Sequence, residues 1–403
     1  MQSFKAKHGP FPCELKTGPA LILKEAKNLH IALVAPHTFP VPPPTYSGEV
    51  VIYDLARSLD EMGHQVDLYA PAESWKPPHG NLFPMPCSYG AAWPSSEEAE
   101  QQTWASHRER LLQADLVHDF SHTKGIAELL YREDHRRNAV STLLSSLWDR
   151  PRPPFNIVVW SQAMRDRGLR GATDYENTPF PEIDGLTKAA HNSSITDAHV
   201  IHGGIDTEFY HPGTNKDGYF LWLGRWSRQK GYHIAIELAR RTTIPLVVAG
   251  LRPNDTWDIS HKQHAVQALE LAKGLPNIQF EWLPRDPPEA HHDRKRCLLQ
   301  AAKAMLFTIQ FQEPFGLGQI EALACGTPVI GTNFGSVSEM VQHGRTGFVC
   351  NTMEDLEAAV REVGAIDPEE CRRVAVARFD RYVMAKAYLT EYQKVMEGEG
   401  WGT

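Results

Sequence analysis

The sequence predicts an α/β protein with two Rossmann-like domains, each built on its own parallel sheet. Its 403 residues suit two domains of about 150 residues or more. Hydrophobic residues make up 42% of the chain and charged residues 22%, proportions that provide a large core and argue against global disorder. Short apolar runs alternate with helical patterns in two blocks, which join near residues 205–217.

The first block opens with a βαβ unit. Residues 30–36 (HIALVAP) form a short apolar run between breakers, which predicts a buried parallel strand. Residues 51–62 carry apolar side chains at helical spacing and end at Gly63, a typical helix stop. Residues 65–70 predict the second strand, and the right-handed crossover implies a parallel sheet. The same patterns extend the block by strands 115–119, 139–143 and 157–160 and by helix 125–131.

The second block repeats this alternation from residue 219 onward. Its predicted elements are, in order, strand 219–223, helix 232–241, strand 245–249, strand 278–283, a helix that ends at residue 303, strand 304–309, helix 318–325 and strand 328–331. A final helix is predicted over residues 378–396. The predicted division is an irregular arm at 1–28, rich in Gly and Pro, a first domain at 29–205, a second domain at 206–377 and a C-terminal helical segment at 378–403.

Charge and cysteine usage narrow the function classes. The chain carries 41 Lys and Arg against 49 Asp and Glu, and this net charge of −8 argues against a broad nucleic-acid-binding surface. Six cysteines without any CxxC pair argue against a zinc knuckle or a disulfide framework and favour a cytoplasmic location with reduced thiols. No apolar run approaches the roughly 20 residues of a membrane span, so we expect no transmembrane segment and leave peripheral membrane contact open.

Two segments at predicted strand ends carry the candidate binding chemistry. The first is GRWSRQKG, residues 224–231, which places Arg225 and Lys230 after a strand and before a helix. Ligands of open parallel sheets bind beyond the carboxyl ends of the strands, and a guanidinium together with an ammonium suits a diphosphate there. Two solvated surface cations are the alternative interpretation.

The second segment is EPFGLGQIEALACG, residues 313–326. Gly316 and Gly318 precede a predicted helix, whose free N–H groups can bind phosphate. Glu313 lies before this turn and Glu321 eight positions later, and their carboxylates can accept hydrogen bonds from the hydroxyl groups of a sugar and a ribose. Either glutamate alone would more simply favour the helix dipole or face solvent, so the interpretation depends on the combination.

The combination resembles glycosyltransferase family 4, the retaining GT-B enzymes that use nucleotide-sugar donors. Two glutamates separated by seven residues belong to that family's signature, and Glu313 and Glu321 fit it. The resemblance covers about residues 29–396 and includes three further stretches in the family's order: PHTFPVPPPTYSG at 36–48, VIHGGIDTEFYHP at 200–212 and GTPVIGTNFGSVSEMVQHGRTGFV at 326–349. It implies two facing Rossmann-like domains with an interdomain cleft, a donor site in the second domain, an acceptor site in the first, and a last helix that crosses back to the first domain.

The resemblance also implies residue roles in donor binding. Arg225 and Lys230 would neutralise the diphosphate, while Glu321 would hold the ribose and Glu313 would contact the transferred sugar. The other donor-binding positions that it implies are Ser47 and Gly48 from the first domain and the backbone at Phe315, Gly316, Leu317 and Gly318 from the second. Preorganised cations and a helix N-terminus would stabilise the charge that builds on the leaving diphosphate.

The family often carries a histidine pair of the type HxH at a strand end. The matching stretch here is DLVHDFSH, residues 115–122, which places His118 at the first histidine and Phe120 at the second. His118 is therefore the expected catalytic histidine and His122 the alternative, while a histidine hydrogen-bonded at a strand end is the structural interpretation. Glu339 in SVSEM also matches a family motif, and a structural role at a helix end is the competing expectation for it.

The reaction that the resemblance implies is the retaining transfer of a hexose, with glucose from UDP-glucose favoured, to an unidentified acceptor. No DxD-like metal motif stands in a suitable loop, so we expect the cations to replace a divalent ion and the nucleotide sugar to be the only co-substrate. A UDP-sugar epimerase of the same fold and a non-catalytic nucleotide-sugar-binding protein are the alternatives. A nicotinamide dehydrogenase is disfavoured, because the proline-rich loop after the first strand lacks GxGxxG.

Overall fold

The computed structural model describes residues 28–45, 48–85, 95–133, 138–144, 155–167, 197–255 and 259–401. The predicted arm at 1–28, except for its last residue, lies outside the described residues, and so does Ser47. Within the described ranges the chain forms two sheets, of seven and six strands, whose paired strands all run parallel. This confirms the predicted α/β class with two Rossmann-like domains.

The first sheet belongs to the N-terminal half of the chain. Its strands are β1 (His30–Val34), β2 (Gln65–Ala70), β3 (Asn81–Pro84), β4 (Leu116–Asp119), β5 (Ala139–Leu143), β6 (Ile157–Val159) and β7 (His199–Val200). Their spatial order is β3-β2-β1-β4-β5-β6-β7. The helices are α1 (Glu49–Glu61), α2 (Ser96–Gln113), α3 (Gly125–Arg132) and α4 (Gln162–Arg167). The central strands are buried at nearly every position, because helices cover both faces of the sheet.

The second sheet is built the same way. Its strands are β8 (Phe220–Leu223), β9 (Leu246–Leu251), β10 (Ile278–Leu283), β11 (Ala304–Phe307), β12 (Val329–Thr332) and β13 (Gly347–Cys350), in the order β10-β9-β8-β11-β12-β13. The helices are α5 (Tyr232–Thr242), α6 (Ile259–Leu271), α7 (Pro288–Ala301), α8 (Leu317–Ala324), α9 (Val337–Met340), α10 (Met353–Glu362) and α11 (Pro368–Phe379). In both sheets the first strand in sequence is third in the spatial order, and because all the paired strands run parallel their carboxyl ends meet at one edge.

The chain returns to the first domain through α12 (Arg381–Met396), which packs on α1 and β5. This confirms the predicted crossover helix, although the helix begins three residues later than the pattern predicts. Asp380 causes the offset: its backbone is extended, and its side chain caps α12 by accepting the Tyr382 N–H at 2.9 Å. None of the helices in the described part of the chain is both long and apolar enough to cross a membrane.

Candidate active site

The segment that follows β8 is held in place by two buried tryptophans. Trp222 donates from Nε1 to the Lys230 carbonyl at 3.0 Å, and Trp226 donates from Nε1 to a carbonyl at the end of β9 at 2.6 Å. Arg228–Lys230 form a 3₁₀ turn that leads into α5. The backbone around Lys230 is therefore fixed. The Arg225 side chain, in contrast, is exposed and forms no hydrogen bond or ion pair with other residues that the structure describes.

Gly231 joins this turn to α5 with a left-handed backbone, at a φ of 74°. A Cβ atom here would lie 1.5 Å from the Thr308 carbonyl oxygen, so only glycine fits. Thr308 follows β11 and donates from Oγ1 to the Gly231 carbonyl at 2.8 Å. This close approach holds the turn that carries Lys230 against the end of the neighbouring strand.

We expect Gly231→Ala to lower the free energy of unfolding by about 2 kcal/mol more than Gly218→Ala does. Both glycines have positive φ, at 74° and 81°, so both substitutions strain the backbone. Only Gly231 has backbone atoms in the way, because nothing lies within 4 Å of the Cβ position at Gly218. Urea denaturation of the two variants measures the difference, and equal losses would contradict the close contact with Thr308.

Lys230 and Glu313, which lie 83 residues apart, form an ion pair with 2.5 Å between Nζ and Oε2. Their side chains are 22% and 11% exposed, so the pair is partly buried and still reachable from solvent. Lys230 Nζ also lies 4.7 Å from the centroid of the Phe311 ring, a cation–π distance. An ammonium that can bind phosphate oxygens therefore stands beside a carboxylate that can accept hydrogen bonds from hydroxyl groups.

The segment with Glu313 leads directly into α8. Gly316 precedes the helix with a φ of 80°, and Leu317 and Gly318 are the first helical residues, whose N–H groups have no partner inside the helix. The Phe315 ring is buried and lies 3.0 Å from the Cβ position of Gly203. The structure thus brings Lys230, Glu313 and the start of α8 together, and Phe315 offers only its backbone to a ligand.

Glu321 lies deeper along α8. Its Oε1 accepts a hydrogen bond from Lys295 Nζ at 2.6 Å, and both side chains are at most 5% exposed. Lys295 Nζ also lies 5.3 Å from the centroid of the Tyr210 ring. Lys295 is not among the predicted site residues, because nothing in the sequence distinguishes it from its charged neighbours in DRKR. It neutralises a carboxylate that would be costly to bury alone.

Gly48 brings the first domain to the same cleft. It precedes α1, and the Trp160 ring lies 3.6 Å from its Cβ position. Trp160 also packs edge-to-face on Phe315, with 6.0 Å between the ring centroids. Gly48 and Phe315, from the two domains, therefore pack on one tryptophan. The predicted donor-binding segments at Gly48 and at residues 315–318 thus lie at the boundary between the domains.

His118 does not face this cleft. It is fully buried on β4, with Nδ1 2.6 Å from the Tyr392 hydroxyl and Nε2 2.7 Å from Thr142 Oγ1. Burial holds its pKa well below the ordinary value, so the ring is neutral at neutral pH. Both ring nitrogens are engaged and no surface is left for a substrate. We therefore correct the expectation that His118 is catalytic: it joins β4 to the crossover helix α12.

His122 takes the exposed position instead. It follows β4, and its Nε2 lies 3.2 Å from Thr38 Oγ1, which also donates to Glu49 Oε1 at 3.2 Å. The His37 ring packs edge-on against His122, with 5.8 Å between the centroids. These residues come from the carboxyl ends of β1 and β4 and from the start of α1. Of the two candidate histidines, His122 is thus the one whose side chain is exposed.

Two adjacent histidines at the start of α7 hold loops together. His291 Nδ1 lies 2.9 Å from the Pro284 carbonyl, and His292 Nε2 lies 3.4 Å from the Pro43 carbonyl of the first domain. Over the described residues, no group of three or more His, Cys, Asp and Glu side chains could hold a metal ion. Metal-independent chemistry stays a prediction.

Residues 206–376 match the family model of glycosyl transferases group 1. Alpha-maltose-1-phosphate synthase of Mycolicibacterium smegmatis is 29% identical over 269 residues, which are 59% of this chain and 63% of that protein. The chain therefore spans less than two thirds of the length of this relative. The family-model match at residues 206–376 contains Lys230, Glu313 and the whole of α8.

Two solved structures share the architecture of almost the whole chain. AviGT4, described as a glycosyltransferase involved in avilamycin A biosynthesis, aligns over 93% of this chain and 99% of its own, with a TM-score of 0.64 and 24% identity. Anabaena Alr3699/HepE in complex with UDP-glucose aligns over 92% and 99%, with a TM-score of 0.60 and 16% identity. At these identities the likeness establishes the fold alone. The chain therefore has the GT-B fold, and its residues 206–376 match the glycosyl transferases of group 1.

Proposed function

We propose that the protein is a retaining glycosyltransferase that moves a hexose from a nucleotide-sugar donor to an acceptor held by the first domain. The observation that carries this proposal is the Lys230–Glu313 pair at the start of α8, in the cleft to which Gly48 brings the first domain. A sugar diphosphate would meet a cation for its phosphates and a carboxylate for its hydroxyl groups there. The family of the second domain supports the same activity.

In this proposal the chemistry is stabilisation of a leaving diphosphate. Negative charge builds on the diphosphate as the bond from its oxygen to the sugar carbon breaks, and Lys230, Arg225 and the N–H groups at the start of α8 stabilise that charge. Glu313 accepts hydrogen bonds from the sugar hydroxyls, and Glu321 accepts them from the ribose. We propose that the two cations supply the charge that a divalent ion would otherwise bring.

We propose that the acceptor hydroxyl approaches from the first-domain side, beside His122. Thr38 holds the His122 ring and is itself bonded to the buried Glu49, so the ring is oriented while one face stays accessible. Contact between the domains would exclude water and so suppress hydrolysis of the donor. UDP-glucose is the donor that we favour. An Anabaena protein of the same fold has been seen with UDP-glucose bound, which supports the choice.

Thermal unfolding with a panel of UDP, GDP, ADP and their glucose or mannose conjugates tests the donor. A ligand at 100 times its dissociation constant should add about 2.7 kcal/mol of apparent stability. We expect UDP and UDP-glucose to raise the unfolding midpoint and the other nucleotides to leave it unchanged. A shift with another nucleotide would reassign the donor base, and no shift with any of them would contradict a diphosphate site at Lys230.

Proton NMR of the products tests the reaction. We expect a new glycoside with the anomeric configuration of the donor once a suitable acceptor is supplied. A changed sugar without any new glycoside would indicate an epimerase of the same fold. Donor binding without turnover across an acceptor screen would indicate a binding protein without catalysis.

A further inference from the structure

Glu339 ties the two domains together. It lies on α9 of the second domain, and its carboxylate accepts the backbone N–H of Gln162 at 2.9 and 3.0 Å and that of Ala163 at 3.4 Å. These are the first two residues of α4 in the first domain. His202, between β7 and the second domain, adds a contact of 2.7 Å from Nε2. A carboxylate at a helix start binds free N–H groups and favours the helix dipole.

The same end of α4 reaches the segment that contains Glu313. Ser161 precedes α4, and its Oγ accepts the Met164 N–H at 3.0 Å, which caps the helix. The Ser161 hydroxyl also donates to the Pro314 carbonyl at 2.5 Å. A residue of the first domain therefore fixes the backbone one position beyond Glu313.

The second domain holds this segment from the other side. Ser336 donates its N–H to the Glu313 carbonyl at 3.0 Å and its hydroxyl to the Phe315 carbonyl at 2.7 Å. Gly335 packs so closely that a Cβ atom there would lie 2.3 Å from backbone atoms of Glu313. Ser336 is the residue directly before α9, the helix that carries Glu339. Residues 335–339 therefore contact both the Glu313 segment and α4.

We propose that Glu339 is a positioning residue that couples contact between the domains to the placement of Glu313. Through its hydrogen bonds to α4, Glu339 positions Ser161 to donate to the Pro314 carbonyl. Gly335 and Ser336, directly before α9, hold the Glu313 backbone in place. Because α4 belongs to the first domain, both bonds exist only while the domains are in contact. The inference rests on the proposed function for the role of Glu313, whereas the contacts themselves do not depend on it.

We therefore expect the loss of Glu339 to slow the chemical step more than it weakens donor binding. Glu339 acts on the backbone around Glu313 and makes no contact with Lys230 or Arg225, which would bind the diphosphate. Losing it should therefore misplace the carboxylate that faces the transferred sugar, while the Lys230 backbone, which Trp222 holds, stays in place. A residue with a purely structural role would lower stability and change neither quantity selectively.

Kinetics of the full chain test the proposal. We expect Glu339→Ala to lower kcat about 10- to 100-fold and to change the dissociation constant of the donor less than about threefold. Glu339→Gln keeps an oxygen acceptor for α4 and should restore kcat to within about fivefold of wild type. Glu354→Ala, at an exposed glutamate in the first turn of α10, is the matched control and should change neither quantity.

Ser161→Ala should lower kcat in the same way, and the double variant E339A/S161A should be no worse than the worse single variant, because both residues act through one contact. Hydrogen–deuterium exchange tests the coupling without turnover: E339A should exchange faster at Gln162 and Ala163 and also across residues 313–316. Faster exchange at both places in a chain without any transfer activity would support the coupling and refute the proposed function alone. Unchanged exchange at 313–316, donor affinity that falls as much as kcat, or an additive double variant would overturn the proposal.

Discussion

Lys230→Met is expected to lower kcat/KM for the donor about 10³-fold. Methionine keeps an unbranched, flexible side chain and removes the charge. Lys230 is one of two cations at the proposed diphosphate site, and its backbone is fixed by Trp222 before any ligand arrives. Removing a preorganised group that stabilises charge in the transition state lowers the rate far more than removing a mobile surface charge does. Initial rates with the donor identified by the binding panel measure the effect.

The ion pair with Glu313 requires a control, because Lys230→Met leaves that carboxylate without its cation. The double variant K230M/E313Q removes both charges, so it should recover the lost stability and stay inactive. Lys273→Met removes an exposed lysine whose partner, Glu270, lies 3.6 Å away, and it should change neither stability nor rate. A K230M protein that keeps more than about a tenth of the wild-type rate would refute the role of Lys230.

The donor side of the candidate site can be predicted from sequence because its residues lie in two short segments at strand ends. β8 and β11 are neighbours, so the segments with Lys230 and Glu313 meet once the alternation pattern is recognised. The contacts that brace the site do not follow from any pattern. Lys295 meets Glu321 between two helices, and Ser161 meets Pro314 between two domains. Such pairs depend on how separate elements pack, which hydrophobic periodicity does not encode.

The fold class can be predicted from the same alternation of strands and helices. A helix without regularly spaced apolar residues cannot be predicted in this way. α2 has 18 residues and buries only four of them, so its charged sequence shows no helical face. The available signal is its capping box, formed by Ser95 and Glu98. A second capping box, at Thr352 and Asp355, marks α10, which is also absent from the predicted elements. Cap chemistry would have found both helices, although α10 also buries helically spaced apolar residues from Met353 to Val360.

His118→Ala is expected to lower the free energy of unfolding by about 4 kcal/mol, while His122→Ala changes it by less than about 0.5 kcal/mol. His118 is fully buried, and its removal leaves a cavity and takes the only described partner from the Tyr392 hydroxyl. His122 is exposed, so its loss should lower the transfer rate and leave the fold intact. The opposite result, a stable but inactive His118 variant, would restore His118 to the active site.

The stability that His118 provides should also depend on pH. Burial lowers its pKa well below 6.5 in the folded protein, while the unfolded chain binds a proton near pH 6.5. Below about pH 6.5 the unfolded state therefore holds more protons at this residue, and the stability contributed by the neutral ring falls as pH falls, by up to about 1.4 kcal/mol per pH unit. Above that pH the contribution is complete. Urea denaturation of wild type and of His118→Ala at several pH values between about 5 and 8 measures the difference in the free energy of unfolding. The contributions of the other buried histidines cancel in this difference. A difference that stays constant down to pH 5 would mean that the ring is not held neutral between β4 and the crossover helix.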